Sequence, residues 1–572
     1  MEKINKLINI INNHNLDGYI IPKNDEFFSE YISKEKDCLK FISNFSGSYG
    51  FAIILKDKNY LFVDGRYTQQ AKIQSGSYFN IQTIPHKMPG DILKKKQLKI
   101  GFCSKLFTEN ILKKLFRKSK CNLVAMNKDL ISMPKKKNAS KKIFKSFLLN
   151  EKQTGEIYKK KINKLSKILI KRKIDIQFIS ASENIAWLLN IRGGDSNFSP
   201  ILNSYLIMEP KKKFIFFCDL KKISTEIKKK LKNIKILDIK YIESFLKNIK
   251  KKKIQIDSAS CSIYFKNILK KDNSIIEITD PIYLLKSIKN KIEINNTIKS
   301  HVYDGAALTK FLFWIKKNYK KSKITEISAQ NKLLKFRKMN KTFQSLSFPT
   351  ISGCGPNGSI IHYKAEKKSN RLLSEGDIYL IDSGGQYKFG TTDVTRTISL
   401  NNKDRKIKDI FTRVLKCHIT VANFKLRKNT SGSEIDLVAR SPLRKINLDY
   451  AHGTGHGVGY YLNVHEGPQS ISRGNKVILK KGMIISNEPG FYQPNKFGIR
   501  IENLIFIKKI NKKLKFENLT MAPIDRSLIN KSLLNNVEKI WLNKYHRNVF
   551  QRLKKFMDKE ELKELKKSCS NI

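Results

Sequence analysis

Leu380-Ile381-Asp382-Ser383-Gly384-Gly385 begins a run of sequence that closes on Gly498-Ile499-Arg500-Ile501-Glu502-Asn503. Between them stand Thr391-Thr392-Asp393-Val394-Thr395-Arg396-Thr397, His452-Gly453-Thr454-Gly455-His456-Gly457-Val458-Gly459 and Ser486-Asn487-Glu488-Pro489-Gly490. Each peptide carries a side chain suited to a metal: Asp382, Asp393, His456, Glu488 and Glu502, in that order. Four carboxylates and one imidazole brought together hold about four negative charges, which a buried site tolerates only around cations. An oxygen-rich set of this kind suits two divalent ions sharing carboxylates, the arrangement that activates water for hydrolysis.

The local patterns place these residues at strand ends. Ile378, Leu380 and Asp382 alternate with Tyr379 and Ile381, so Asp382 ends a buried strand. The glycines 384, 385 and 390 predict turns before a second strand, Asp393 to Ile398, in a hairpin that sets the two aspartates side by side. Arg500 and Glu502 alternate with Ile499 and Ile501, which predicts one strand presenting both to one face. Glu488 follows the apolar run Met483-Ile484-Ile485, and Pro489-Gly490 turns the chain after it. The glycines around His452 and His456 let backbone approach a site closely, and no Lys-Ser/Thr follows to make a phosphate loop. Alone, each peptide is an ordinary turn; the fixed order of all five carries the reading.

The rest of the chain sets bounds. With 572 residues it is too long for one core and predicts several domains. A net charge of +64 would ordinarily point to nucleic acid or an anionic membrane. Short Lys runs, such as 159–161, 228–230 and 250–253, recur along most of the chain, and Lys far outnumbers Arg. A reader of nucleic acid clusters its basic residues and uses Arg for bidentate contacts, so no specific nucleic-acid partner is expected. No stretch approaches the ~20 apolar residues needed to cross a bilayer. The N-terminus lacks the apolar run of a signal peptide, and the eight scattered cysteines contain no Cys-x-x-Cys. A cytoplasmic protein with free thiols and no membrane partner is the expectation.

Residues 1–138 alternate short apolar runs with helical patterns, including the strands Gly18–Pro22, Phe51–Leu55 and a strand from Asn59. Met133-Pro134-Lys135-Lys136-Lys137-Asn138 is a candidate linker. A second unit of similar pattern follows over 139–290, with a basic helix near 156–172 and strands near 175–179 and 213–217. Two related α/β domains are expected, then a third over 291–572. That third region opens on a long amphipathic helix marked by Ile294, Ile298, Val302 and Ala306, and ends in a helical tail over about 510–572.

The chain resembles the pita-bread metallopeptidases, the family of methionine aminopeptidase, prolidase and aminopeptidase P. Their ligand order is Asp, Asp, His, Glu, Glu, and every slot is filled here. Further matches resemble the long, three-domain aminopeptidase P: Tyr19-Ile20-Ile21-Pro22, Asp64-Gly65-Arg66-Tyr67, Glu183-Asn184-Ile185-Ala186-Trp187, Ser347-Phe348-Pro349-Thr350 and Trp541-Leu542-Asn543. The resemblance implies a mixed α/β fold: two creatinase/prolidase-type N-terminal domains before a pita-bread catalytic domain. It implies removal of an N-terminal residue that precedes proline, by water activated between two divalent metals, Mn²⁺ first. Asp393 and Glu502 would bridge the ions, with Asp382 on one and His456 and Glu488 on the other. Glu488 would shuttle the proton, and His362, His452 and His465 would serve catalysis and the substrate pocket. Arg500 and Tyr492 would be further substrate-side residues. A homodimer is implied too. The alternatives are a prolidase limited to Xaa-Pro dipeptides and a non-catalytic binding module on the same fold. Where the family usually has Gly, Asn495 stands in Pro494-Asn495-Lys496, and Asn tolerates a left-handed turn.

Overall fold

The computed structural model describes residues 1–131, 133, 143–210 and 213–572. Apart from Met133, the expected linker lies outside the described residues. The chain forms two compact units, Met1–Tyr283 and Leu284–Ile572.

The first unit contains two six-stranded sheets. Strands β1 (Gly18–Pro22), β2 (Phe51–Leu55), β3 (Asn59–Asp64), β4 (Asn80–Ile84), β5 (Lys99–Cys103) and β6 (Asn122–Met126) lie in the order β4-β3-β2-β1-β5-β6. Strands β7 (Ile176–Ile179), β8 (Ser204–Glu209), β9 (Lys213–Cys218), β10 (Lys235–Asp238), β11 (Lys253–Ile256) and β12 (Ser274–Glu277) lie in the order β10-β9-β8-β7-β11-β12. These are the same topology. In each sheet the first strand pairs antiparallel with the second and parallel with the fifth, and the third and fourth are parallel. The runs Phe51–Leu55 and Ile176–Ile179 are buried along their whole length, as strands covered on both faces must be.

The second unit opens on helix α1 (Lys291–Asn318). Asn290 caps it by accepting from the amides of Ile292 and Glu293, and Glu293 returns a bond to the Asn290 amide. Helix α2 (Glu326–Lys338) packs beside it. Arg337 of α2 donates to both oxygens of Asp304 of α1, at 2.8 and 3.0 Å, and to Ser383 Oγ at 3.1 Å, so the helix pair is pinned to the residue after Asp382.

Strands β13 (Phe343–Leu346), β14 (Ile351–Cys354), β15 (Ile378–Ser383), β16 (Gly385–Tyr387), β17 (Gly390–Thr391) and β18 (Val394–Ser399) form two three-stranded sheets, β14-β15-β18 and β13-β16-β17. Tyr379 and Ile381 of β15 join Leu308, Phe311 and Ile315 of α1 in one core cluster, while Leu380 packs in another with Ile351. Asp382 shares the parity of Leu380 and so leaves the α1 side. After helix α3 (Arg405–Ala422) come β19 (Gly455–His456), β20 (Ser470–Ile471), β21 (Ile484–Asn487), β22 (Gly490–Gln493), β23 (Phe497–Arg500), β24 (Asn503–Ile510) and β25 (Lys513–Asn518). Asn495, in the β22–β23 turn, adopts φ +59, as its residue type allows. The C-terminal region differs from the expected helical tail. Residues 503–518 first form the β24–β25 hairpin, and helices α4 (Asn536–Leu553) and α5 (Lys559–Ser568) follow. The alternation of apolar and charged residues in Lys513–Asn518 favours an edge strand over a helix.

Candidate metal centre

The two aspartates come from neighbouring strands, but by a longer route than a simple hairpin. β15 and β18 pair antiparallel with Asp382 opposite Thr395 and Ser383 opposite Val394. The intervening glycines carry β16 and β17 into the other sheet, so Asp393 stands one residue before its strand. Glu502 also differs from expectation: it occupies the two-residue break between β23 and β24, not a continuous strand with Arg500. Its amide donates to Thr395 O at 3.2 Å, which holds the break against β18. Glu488 sits just after β21, its amide donating to Thr454 O at 2.8 Å. His456 lies in β19, opposite Ser470. A Cβ on Gly455 would stand 1.8 Å from Ser486 O, and one on Gly457 2.0 Å from Glu466 O, so glycine on both sides of His456 is a packing requirement.

These elements bring Asp393, His456 and Glu502 together with one ligand atom of each inside 4.8 Å of the others. His456 Nε2 is 3.4 Å from Asp393 Oδ2 and 3.5 Å from Glu488 Oε1. Its Nδ1 faces Gly457 O at 3.0 Å, so Nδ1–H donates there and Nε2 is left for the acids. Asp382 is held by Arg500, whose Nη2 lies 2.7 Å from its Oδ2.

The electrostatics are those of crowded acids. Asp382, Asp393 and Glu502 are all less than a tenth exposed. Burial, then the charge of Asp393 and Glu488, pushes the Asp382 carboxyl up to about 7 despite Arg500. Burial and the three neighbouring acids drive Glu502 well above the usual carboxylate range. Burial disfavours charge on His456, but Asp393 and Glu488 outweigh it and raise the ring to about 9. Asp382 Oδ1 and Glu502 Oε1 are buried with no hydrogen-bond partner among the described residues. Buried, unpartnered carboxylate oxygens beside an imidazole nitrogen are a donor set that fits divalent metal ions.

Around the acids runs a hydrogen-bonded frame. Arg500 Nη1 donates to Tyr492 OH at 2.6 Å, and that hydroxyl donates to His452 Nε2 at 2.9 Å, because His452 Nδ1–H is committed to Gly453 O. His465 packs edge-on to His456, with ring centroids 4.3 Å apart. His362 lies in the loop after β14; Arg500 stands 3.4 Å from the preceding carbonyl, Ile361 O.

Several members of this frame were not singled out from the sequence. Thr395 receives Arg500 Nε at 3.1 Å and donates to Glu502 Oε2 at 2.8 Å. Ser486 receives the His456 amide at 2.8 Å and donates to Glu488 Oε1 at 3.1 Å. Each stands two residues from an acid, Asp393 or Glu488, so period-two spacing was the available signal. Arg396 donates to Glu502 O at 2.6 Å and to Tyr545 OH of α4 at 2.8 Å, tying α4 to the site backbone. Lys289 donates to the fully buried Glu466, next to His465, at 2.8 Å, with Lys286 at 3.2 Å.

Comparison with known proteins matches this arrangement to a family. The model of metallopeptidase family M24 matches residues 296–509, and that of the family's C-terminal region matches 512–572. Creatinase/prolidase N-terminal domain models match 3–132 and 135–293. A probable Xaa-Pro aminopeptidase P of Coprinopsis cinerea is 34% identical over 603 residues, covering 98% of this chain and 97% of its own. Xaa-Pro aminopeptidase 1 of Dictyostelium discoideum is 35% identical, covering 98% and 94%. The crystal structure of X-prolyl aminopeptidase from Caenorhabditis elegans, described as a cytosolic enzyme with a di-nuclear active site, superposes with a TM-score of 0.94 at 30% identity, covering 100% of this chain and 99% of its own. The prolidase of Pyrococcus horikoshii covers only 64% of this chain, at a TM-score of 0.52 and 25% identity. The chain belongs to metallopeptidase family M24. Its architecture is two creatinase-type N-terminal domains followed by the pita-bread domain.

Proposed function

We propose that this protein is a dinuclear metal-dependent Xaa-Pro aminopeptidase, which hydrolyses the bond between an N-terminal residue and a following proline. The observation that carries the reading is the convergence of Asp393, His456 and Glu502, with Glu488 and Asp382 at their margins. Full-length similarity to proteins named for this activity supports it. A prolidase matches less of the chain. Asp393, His456 and Glu502, with Asp382 and Glu488 beside them, would hold the two ions. Mn²⁺ is the proposed metal, since four carboxylates and one imidazole favour a hard ion. When bound, such ions supply Lewis-acid activation of water and of the scissile carbonyl.

The chain's own residues do the rest. Arg500 fixes the Asp382 carboxylate, and through Tyr492 it fixes His452. Glu488 Oε1, steadied by Ser486 Oγ, takes the proton of the attacking water and passes it toward the leaving nitrogen. That proton is needed because the nitrogen of an Xaa-Pro bond belongs to a tertiary amide and leaves poorly without it. His362 and His465 are proposed to donate hydrogen bonds to the substrate carbonyl as charge develops on its oxygen, and His452 to line the proline pocket. Peptides with proline second are the proposed substrates, and the proposed form is a cytoplasmic homodimer without specific nucleic-acid or membrane partners. Among the described residues no helix is long and apolar enough to cross a membrane.

Metal analysis of the purified chain tests the centre: about two ions per chain are expected. Tripeptides of the form Xaa-Pro-Pro should be hydrolysed at least as well as Xaa-Pro dipeptides. Activity confined to dipeptides would make the protein a prolidase.

A further inference from the structure

Glu326 is a buried carboxylate, 0% exposed, in the first turn of α2, and the metal centre does not use it. It gathers donors from both ends of one loop. Its Oε1 accepts from the Cys354 amide at 2.7 Å and from Asn357 Nδ2 at 3.0 Å. Its Oε2 accepts from Tyr363 OH at 2.8 Å, the Arg371 amide at 2.9 Å and Asn357 Nδ2 at 3.0 Å. The loop these donors span contains His362, directly beside Tyr363. On the other side of His362, the Ile361 carbonyl faces Arg500 at 3.4 Å. The same loop lies against β23 so closely that a Cβ on Gly498 would stand 1.8 Å from Gly358 O.

A single buried carboxylate meeting four donor groups is costly to desolvate and is offset only when its whole network is made. The network here stabilises one loop conformation, and the residue that conformation aims is His362. We propose that Glu326, acting through Tyr363, is a positioning residue for His362: it sets where that imidazole stands relative to the acids, without touching substrate or metal. This rests on the catalytic role assigned to His362 above.

Two variants test it in the metal-loaded full chain. Tyr363→Phe removes one hydroxyl and is expected to fold; Glu326→Gln removes an acceptor at the centre of the network. With Arg-Pro-Pro as substrate, Tyr363→Phe should lower kcat about tenfold or more, since a misplacement near 1 Å costs up to about a hundredfold. KM and bound metal should stay within about twofold of wild type, because no ligand is touched. In a His362→Ala background the Tyr363→Phe change should have almost no further effect, since the residue it positions is gone. Crystal structures should show the His362 backbone displaced in Tyr363→Phe or Glu326→Gln while Asp393, His456 and Glu502 keep their places. Multiplicative losses in the double variant, or an unmoved His362 in both variants, overturns the proposal. A wild-type chain that hydrolyses no Xaa-Pro peptide defeats the functional reading, and the crystallographic displacement then decides the positioning claim by itself.

Discussion

Arg500 Nη2 lies 2.7 Å from Asp382 Oδ2, and both residues are less than a tenth exposed. The guanidinium fixes one oxygen of the aspartate, while Oδ1 has no hydrogen-bond partner among the described residues and the carboxyl feels the charge of Asp393 and Glu488. A cationic side chain one bond removed from a candidate ligand orients it and tunes it.

Arg500→Met is therefore expected to hurt twice. It leaves a buried carboxylate uncompensated, at a cost of about 3–5 kcal/mol in stability. It also lowers metal affinity by about 10- to 100-fold, because the ligand loses its orienting partner. Thermal melts and metal titration measure both. An unchanged metal affinity would remove Arg500 from the support of the site.

Glu488→Gln should keep the fold and lower kcat by about two to four orders of magnitude, the range set by loss of a general base. The side chain is partly exposed and accepts from Ser486 Oγ at 3.1 Å, so little packing is lost. Full turnover in this variant would take the proton shuttle away from Glu488.

Gly455→Ala tests the close approach behind His456. The added methyl would stand 1.8 Å from Ser486 O, in backbone that cannot yield without shifting β21 and with it Glu488. Loss of metal binding with secondary structure retained is expected by metal analysis and circular dichroism. Normal metal content would show that β19 has slack the geometry denies.

Acid should weaken the fold through two buried histidines. Burial, aided by Arg396, holds both His418 and His546 neutral down to about 3. His546 Nε2 accepts from the Ile524 amide at 3.2 Å, which fixes that neutral tautomer. In the unfolded chain histidine titrates near 6.5. The unfolded state thus binds more protons between these values, so this stability is complete above pH 6.5 and falls as pH drops toward 3. The raised site acids and His456 favour the folded state as pH falls and act against this loss, so the comparison is between chains: from pH 7.5 to pH 5 the urea midpoint of metal-free His546→Gln should gain on that of wild type. Equal slopes would contradict the assignment.

The fold was legible where burial and period agree. Phe51–Leu55 and Lys213–Cys218 are apolar runs of strand length, and both are strands. Ile294 to Ile315 keeps one helical face, and the helix runs Lys291–Asn318. Asp382, His456, Glu488 and Glu502 are legible because each sits in a peptide with its own glycines or proline, and Asp393 because it falls in order at the start of the next strand pattern after Gly390. Arg500-Ile501-Glu502 alternates as a strand would, yet the strand breaks at Glu502, because Gly490 is opposite Arg500 in one sheet and Asn487 opposite Asn503 in another. Lys513–Asn518 falls within a lysine-rich tail whose composition suggests helix, but its apolar residues alternate and it forms a strand. Glu326 had no signal at all: its partners are amides and a phenol from a loop brought close only by tertiary folding.

The central claim is that this site cleaves before proline using the converged acids and His456. Hydrolysis of Arg-Pro-Pro against Arg-Ala-Pro by the purified, Mn²⁺-loaded chain tests it most directly. Release of arginine from the first peptide and almost none from the second is the predicted result. Equal release from both, or none from either at full metal content, would contradict it.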